Sequence, residues 1–415
     1  MNFFTELFSS VFDRRYRKVR ASEEDNRTVQ AMCQDLLTLH GEVSGGALAR
    51  NIFDRYEKMT KDEKHALFEY MTHDLEVVTD GVLAALTDYQ KQPSKQTYKA
   101  FTSACEPKRQ ELIRRLNQVP GATPRLVKMR EDLLKASKDD ASLGILDVDF
   151  NHLFTSWFNR GFLVLRPINW DSPASILEKI IAYEAVHAID SWDDLRQRLK
   201  PSDRRCYGFF HPAMGDEPLI FVEVALTKGT ATSIQSLLTK DREVIEADEA
   251  DTAVFYSISN CQPGLAGISF GNFLIKQVAA NLARDLGNLE TFVTLSPIPG
   301  LAKWVNSSEM GPLGQGNDQA LAAYYLLNAK RSDGKPFDPV SRFHLGNGAM
   351  IQAVHADADV SANGLQQSNG AMVNYLYDLD KVSINHEKFV TEREVAASDA
   401  VHALSTSIAT SKKGE

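Results

Sequence analysis

The sequence predicts an α + α/β protein, with an N-terminal helical bundle followed by a mixed α/β domain. Three observations predict it. From about residue 22 to residue 160 apolar residues recur at helical spacing, with no β-branched run of strand length. After Trp170-Asp171-Ser172-Pro173 the pattern turns to alternating strand and helix. A length of 415 residues suits two domains, which are read here as 1–165 and 166–415.

In the first part, Val29, Met32, Leu36 and Leu37 mark one amphipathic helix, and Leu67, Phe68, Met71 and Leu75 another. Leu112, Ile113 and Leu116 continue the pattern. Pro120-Gly121 turns the chain, and Thr123-Pro124 predicts a restart with a capping threonine and a proline at the first helical position. Leu126, Leu133 and Leu134 supply that helix's apolar face. Such segments pack as a bundle, for which assembly is the expected role. His40, His65, His73 and His152 form no His-Glu-x-x-His and no paired-carboxylate pattern, so no chemistry is read there.

In the second part, Ser172-Pro173 starts a helix expected over Ser175–Ala188. Strands are predicted at Cys206–Phe210, Pro218–Leu226 and Thr252–Ser259, with an exposed acidic connection over Asp241–Asp251. Next comes a loop bearing Gly264, Gly267 and Gly271. A helix follows, with Phe273, Leu274, Ile275, Val278, Leu282 and Leu286 on its apolar stripe, stopped by Gly287-Asn288. Thr291–Leu295 reads as the next strand. Glycines let backbone N–H groups converge, and the helix behind adds its N-terminal partial positive charge, so the unit suits a pyrophosphate. Its Gly-x-x-Gly-x-Ser-x-Gly spacing is neither the dinucleotide fingerprint nor a P-loop. It is closer to the pyrophosphate loop of the GNAT acyl-CoA acyltransferase superfamily.

The same residues carry a second pattern. Gly267-Ile268-Ser269-Phe270-Gly271 matches a hydrolase nucleophile elbow, with His344 downstream and Asp318, Asp333 and Asp338 between. An elbow needs its serine directly after a strand. Here the strand ends about nine residues earlier and Pro263 intervenes, which disfavours that reading.

Composition narrows the function. With 46 basic and 55 acidic residues the formal net charge is −9, which argues against a nucleic-acid binder. Cys33, Cys105, Cys206 and Cys261 lie far apart, so neither a zinc knuckle nor a redox pair is expected, and reduced thiols are. No apolar run approaches the ~20 residues that span a bilayer. The first residues lack the positive region of a secretory signal. Arg14, Arg15, Arg17, Lys18 and Arg20 follow, but Glu6 and Asp13 sit among the apolar residues, which makes a poor mitochondrial presequence. The last residues are not a peroxisomal address. The cytoplasm is the expected compartment.

At Leu295-Ser296-Pro297-Ile298-Pro299-Gly300 the last of these strands ends in a proline-fixed turn, which holds Ser296 at the sheet's C-terminal edge. Phe343 to Ala349 and Asn374 to Tyr377 come later. Together with Glu184-Ala185-Val186-His187, Arg204-Arg205-Cys206-Tyr207, Glu217-Pro218-Leu219, Val224 to Thr227, Phe255 to Ser259 and the Gly267 loop, these segments resemble the malonyl-CoA decarboxylase family. They run in order through the second part, with weaker similarity in the helical part. The resemblance implies a GNAT-like catalytic domain behind an oligomerising helical one. It implies malonyl-CoA as substrate, no metal and no cofactor, no membrane partner, and a homo-oligomer, dimer or tetramer. Catalytic roles are implied for Ser296, His344 and Tyr377. Substrate binding is implied for Ala266, Gly267, Ile268, Ser269, Phe270, Gly271 and Asn272, with Ser296 and His344. One departure is that animal members carry a glutamate at the position of Ser269, so that carboxylate's role does not transfer.

The residue types suit the reaction. Loss of carbon dioxide β to a thioester carbonyl leaves an enolate, and a histidine titrating near neutrality is the expected proton donor. Ser296 would bond the malonyl carboxylate or relay a proton, and Tyr377 would orient either group. Read without the resemblance, Ser296 caps a turn, His344 is a core histidine and Tyr377 a strand tyrosine. Arg204 and Arg205 are then a solvated pair, or partners of a CoA phosphate. A GNAT-type acyltransferase, a non-catalytic acyl-CoA sensor and a hydrolase at Ser269 stay open as alternatives.

Overall fold

A computed structural model of the chain describes residues 26–39, 41–268, 274–307 and 317–411. His40 and Ser269 to Asn272 lie outside the described residues, as does Phe273. The chain divides into two compact units between Phe150 and Asn151.

The first unit is helical, as periodicity predicts. Its helices are α1 (Val29–Thr38), α2 (Glu42–Tyr56), α3 (Lys61–His73), α4 (Thr79–Lys91), α5 (Lys95–Ala104), α6 (Lys108–Leu116) and α7 (Ala122–Ala136); α8 (Gly144–Trp157) crosses the division. Thr28 accepts the Ala31 N–H, which starts α1, and Thr60 and Glu63 close a reciprocal capping box on α3. The predicted apolar positions Val29, Met32, Leu36, Leu67, Phe68, Met71, Leu112, Ile113 and Leu116 are all buried. The start of α7 differs from expectation. Gly121, left-handed at φ 75°, precedes the helix, so Thr123 lies inside it. The Thr123 hydroxyl donates instead to Asn117 Oδ1 at 2.8 Å. Buried Arg109 pairs with Asp149, and buried Arg130 with Asp147 at 2.7 Å. The α4–α5 hairpin contains no buried residue.

The second unit is built on an eight-stranded mixed sheet. Its elements are β1 (Val164–Ile168), α9 (Ala174–Tyr183), α10 (Trp192–Leu199), β2 (Arg204–Phe210), β3 (Pro218–Thr227), α11 (Ile234–Leu238), β4 (Thr252–Asn260), α12 (Leu274–Asp285), β5 (Thr291–Thr294) and β6 (Ser296–Pro297). There follow α13 (Leu301–Ser307), α14 (Asp318–Asn328), α15 (Pro339–Gly346), β7 (Met350–His355), α16 (Ala362–Ser368), β8 (Met372–Leu376), α17 (Val382–Glu392) and α18 (Asp399–Ser411). The strand order is β1-β2-β3-β4-β5-β8-β6, with β7 also paired to β8. All neighbours are antiparallel except β4 and β5. In sequence, the segment bearing Gly264 and Gly267 and then α12 connect the two strands of that parallel pair.

That parallel pair is short. Residues Thr252 to Phe255 face Thr291 to Thr294, and the Leu295 N–H reaches the Phe255 carbonyl at 3.0 Å. Beyond this point β4 continues beside β3 to Asn260, whereas Ser296 and Pro297 pair with β8. The two strands diverge and the sheet opens between them. Both faces are packed. Ile176, Ile180, Leu195, Phe210 and Phe221 fill one cluster, and Ala225, Ile234, Val254, Val293 and Met372 another. A register shift between Glu223 and Val224 lets β3 contribute to both.

Two local expectations are corrected. The helix predicted over Ser175–Ala188 ends at Tyr183. Glu184 leaves it because its carboxylate accepts the Val186 and His187 N–H groups, both at 2.8 Å, and the Ser257 hydroxyl at 2.7 Å. Arg204 is not solvated. It is buried, donates to the Leu237 carbonyl at 2.6 Å, and pairs with Asp203 at 3.3 Å. The Asp241–Asp251 connection is mostly exposed, as expected, and is tethered by Arg242, which reaches Asp203 at 2.7 Å. Among the described residues no helix is long and apolar enough to cross a membrane.

The end of α15 tests this packing. Gly348 has φ +86°, and a Cβ there would lie 1.9 Å from the Val382 carbonyl oxygen. Gly348→Ala is therefore expected to cost roughly 3 kcal/mol or more, read as a lower urea midpoint. An unchanged midpoint would contradict the α15–α17 packing.

Candidate active site

The sheet opening receives three side chains from separate elements. Ser296 lies where the chain leaves β4 for β8, and is buried. Pro297 and Pro299 restrict the following turn, and the intervening Ile298 is fully buried. His344 rides on the last turn of α15, which starts with Pro339 at its first position behind an Asp338 cap. Tyr377 follows β8, and its N–H donates to the Phe292 carbonyl at 2.8 Å.

The imidazole joins the other two. His344 Nε2 lies 3.2 Å from Ser296 Oγ, and Nδ1 lies 2.8 Å from the Tyr377 hydroxyl. Burial pushes the Tyr377 phenol well above its ordinary range, so it stays protonated and donates to Nδ1. The network thereby assigns the ring proton to Nε2, facing Ser296. Ser296 Oγ in turn donates to Thr294 Oγ1 at 2.8 Å. The Tyr375 ring stacks on the imidazole at 4.5 Å and 20°.

One expectation fails here. His344 does not titrate near neutrality in this state. Its complete burial disfavours the charged form and lowers its pKa from 6.5 to about 3. The position near a helix C-terminus would favour a cation, but desolvation outweighs it. The free site holds a neutral imidazole.

Two cavities meet at this point. One, of about 240 Å³, is walled by Ser296, His344, Phe255, Ile258, Val340 and Asn260. The other, of about 420 Å³, is walled by Ala266, Gly267, Ile268, Gln262, Leu274 and Asn347. Ile220, Asn260 and Phe343 line both. Ala266, Gly267 and Ile268 thus face a cavity. Among the described residues, no lysine or arginine lines either cavity.

The acid–histidine half of the hydrolase constellation is not assembled among the described residues. Ser269 lies outside the described residues, and among the described residues no carboxylate reaches the His344 ring, whose partners are Tyr377 and Ser296. Asp338 bonds the Ser341 and Gly300 N–H groups instead. Thr294, Tyr375 and Asn347 join the site without having been expected there. Tyr375 carries a signal in the sequence, because residues two apart near a strand share a face and Tyr377 lies two positions on. Among the described residues, one cluster of histidine and carboxylates offers atoms within 4.8 Å of each other: His65, Glu69 and Asp140, in the helical unit.

Comparison with known proteins gives a consistent picture. The model of the malonyl-CoA decarboxylase C-terminal domain matches residues 161–315 and 315–414, and that of the N-terminal domain matches residues 77–158. The mitochondrial malonyl-CoA decarboxylase of Anser anser anser is 35% identical over 349 residues, covering 71% of this chain and 69% of that protein. The Rattus norvegicus protein of the same name is 31% identical over 354 residues, covering 72% of each. The crystal structure of malonyl-CoA decarboxylase from Rhodopseudomonas palustris superposes with a TM-score of 0.86 at 48% identity, covering 90% of this chain and 98% of that one. The structure from Agrobacterium vitis gives 0.86 at 46%, covering 91% and 99%.

The buried neutral imidazole has a measurable signature. Its folded pKa is depressed below the unfolded value, so its contribution to stability is complete above about pH 6.5 and is lost as pH falls toward 3. Between pH 7 and about pH 5 the chain should lose about 2 kcal/mol through this residue. His344→Gln should lose that much less over the same interval in urea titrations. His187, lowered to about 4, remains in both proteins and cancels. Equal losses would show that His344 is not held neutral.

Proposed function

Because the chain belongs to the malonyl-CoA decarboxylase family and is a carboxy-lyase acting on malonyl-CoA, we propose that Ser296, His344 and Tyr377 carry its chemistry. The observation that supports this most is the His344 imidazole, held between the two hydroxyls at the wall of a mostly apolar cavity.

Malonyl-CoA places a carboxylate β to a thioester carbonyl. When the carbon–carbon bond breaks, its electron pair passes to the α-carbon and the thioester oxygen. The carbonyl is itself the electron sink, so the proposal needs neither metal nor organic cofactor. The protein must turn the carboxylate out of the carbonyl plane and exclude water. A cavity of about 240 Å³ with few polar groups suits both tasks. Removing water from the carboxylate raises its energy, and the transition state, with its charge dispersed, suffers less.

The reaction consumes one proton as malonyl-CoA becomes acetyl-CoA and carbon dioxide. In this proposal the substrate supplies the means to bind it. A carboxylate beside His344 favours the imidazolium and opposes the desolvation that keeps the free ring neutral. The ring takes a proton from solvent at Nδ1 as substrate enters, and the Tyr377 hydroxyl turns from donating to that nitrogen to accepting from it. The ring then yields the Nε2 proton to the α-carbon, directly or through Ser296 Oγ, and the neutral Nδ1–H ring left behind regains the resting tautomer by proton exchange with solvent. Tyr377 keeps Nε2 aimed at the substrate. The loop from Ala266 to Asn272 and the start of α12 are proposed for the CoA phosphates, with the pantetheine arm in the 420 Å³ cavity.

Two coarser features belong to the same proposal. The free cysteines support a reducing compartment, for which we propose the cytoplasm. A homo-oligomer built through the helical unit is supported by the α4–α5 hairpin, where Leu83 and Tyr98 remain exposed.

Malonyl-CoA, incubated with purified protein without added metal and resolved by chromatography, tests the roles. His344→Gln should lower kcat by roughly 100-fold or more, and Ser296→Ala by roughly tenfold. Tyr377→Phe should lose less, because the ring stays buried. Turnover of His344→Gln within about threefold of the native rate would sink the assignment.

A further inference from the structure

Asp338 is not among the residues that wall the two cavities, yet it connects the two segments that carry the reacting groups. It is fully buried. Its Oδ1 accepts the Ser341 N–H at 2.8 Å and caps α15, the helix bearing His344. Its Oδ2 accepts the Gly300 N–H at 3.4 Å, at the end of the turn that begins at Ser296. One carboxylate therefore spans the helix and the turn.

Both connections are stiff. Two prolines restrict the path from Ser296 to Gly300. Gly300 is pressed against α14, because a Cβ there would meet the Tyr325 hydroxyl at 2.3 Å. On the helix side, the Ser341 hydroxyl lies toward that of Tyr375 without a hydrogen bond of good geometry, and the Tyr375 ring stacks on His344 at 4.5 Å. Among the described residues Asp338 has no ion-pair partner. The neighbouring Arg342 guanidinium donates to the Pro336 and Phe337 carbonyls. Burial raises the Asp338 carboxyl to about 6, an unfavourable state for a residue that only caps a helix. Serine or asparagine would cap as well without it. What aspartate adds is a second acceptor oxygen on the same short side chain.

We propose that Asp338 is a positioning residue for decarboxylation, holding Ser296 and His344 in register by accepting the Gly300 and Ser341 N–H groups at once. The inference rests on the roles proposed for Ser296 and His344, and its test separates the two.

The test is steady-state decarboxylation of malonyl-CoA, with thermal unfolding, for Asp338→Ser and Asp338→Asn, each also in a Ser296→Ala background. Serine still caps Ser341 but is too short to reach Gly300. Asp338→Ser should keep a melting point near native and a KM within about threefold, while kcat falls roughly tenfold or more. Asp338→Asn retains one acceptor and should lie between. Once Ser296→Ala has removed the hydroxyl to be aligned, Asp338→Ser should cost little more. A native kcat in Asp338→Ser would overturn the proposal. So would losses that multiply in full with Ser296→Ala, or that only track the folded fraction. Native turnover in His344→Gln would instead overturn the roles beneath it.

Discussion

The short parallel contact between β4 and β5 is the constraint on which the second unit depends. Four residue pairs and one further hydrogen bond hold the strands together, and then they part. Strand backbones that separate leave N–H and C=O groups seeking partners. The chain answers by pairing Ser296 and Pro297 with β8 and by keeping β4 on β3. The gap that remains is filled from the side by α15, which brings His344 into it. A longer pairing of β4 with β5 would close the gap and leave the imidazole nowhere to go.

Within that gap, hydrogen bonding and desolvation act together. The ring is fully buried, with one nitrogen toward a phenol that stays protonated and the other toward a hydroxyl. This satisfies a neutral imidazole completely and a charged one poorly. Buried Arg198 and Glu223 show the contrasting solution, a direct ion pair at 3.0 Å. The site has no such partner among the described residues.

Much of this is legible in the sequence because the controlling forces are local. The helical periodicity of Val29, Met32 and Leu36, the strand character of Pro218–Thr227 and the glycine-bearing loop after β4 all depend on near neighbours. Ordered similarity of short segments points to Ser296, His344 and Tyr377, which lie far apart in the chain but meet in the fold. What cannot be read is set at long range. Glu184 ends α9 because Ser257, 73 residues away, bonds its carboxylate. Arg204 is buried because α11 offers the Leu237 carbonyl. The charge state of His344 depends on burial, which no spacing encodes. Asp338 stands in the sequence as a candidate triad acid, and only the fold turns it away from the ring.

The α4–α5 hairpin has a consequence of another kind. Its helices bury no residue, and each is near or below the ~12–15 residues at which an isolated helix is marginal in water. Local terms hold it: the Ser94 cap, and the Tyr89 ring stacked on Phe101 at 6.1 Å. It therefore occupies the low end of the chain's range of local stabilities, opening on its own while the core around Leu112 and Leu126 stays shut. Amide hydrogens in the hairpin should exchange with solvent long before those of α7. Slow exchange there would mean that another surface covers the hairpin and shares the work of keeping it folded.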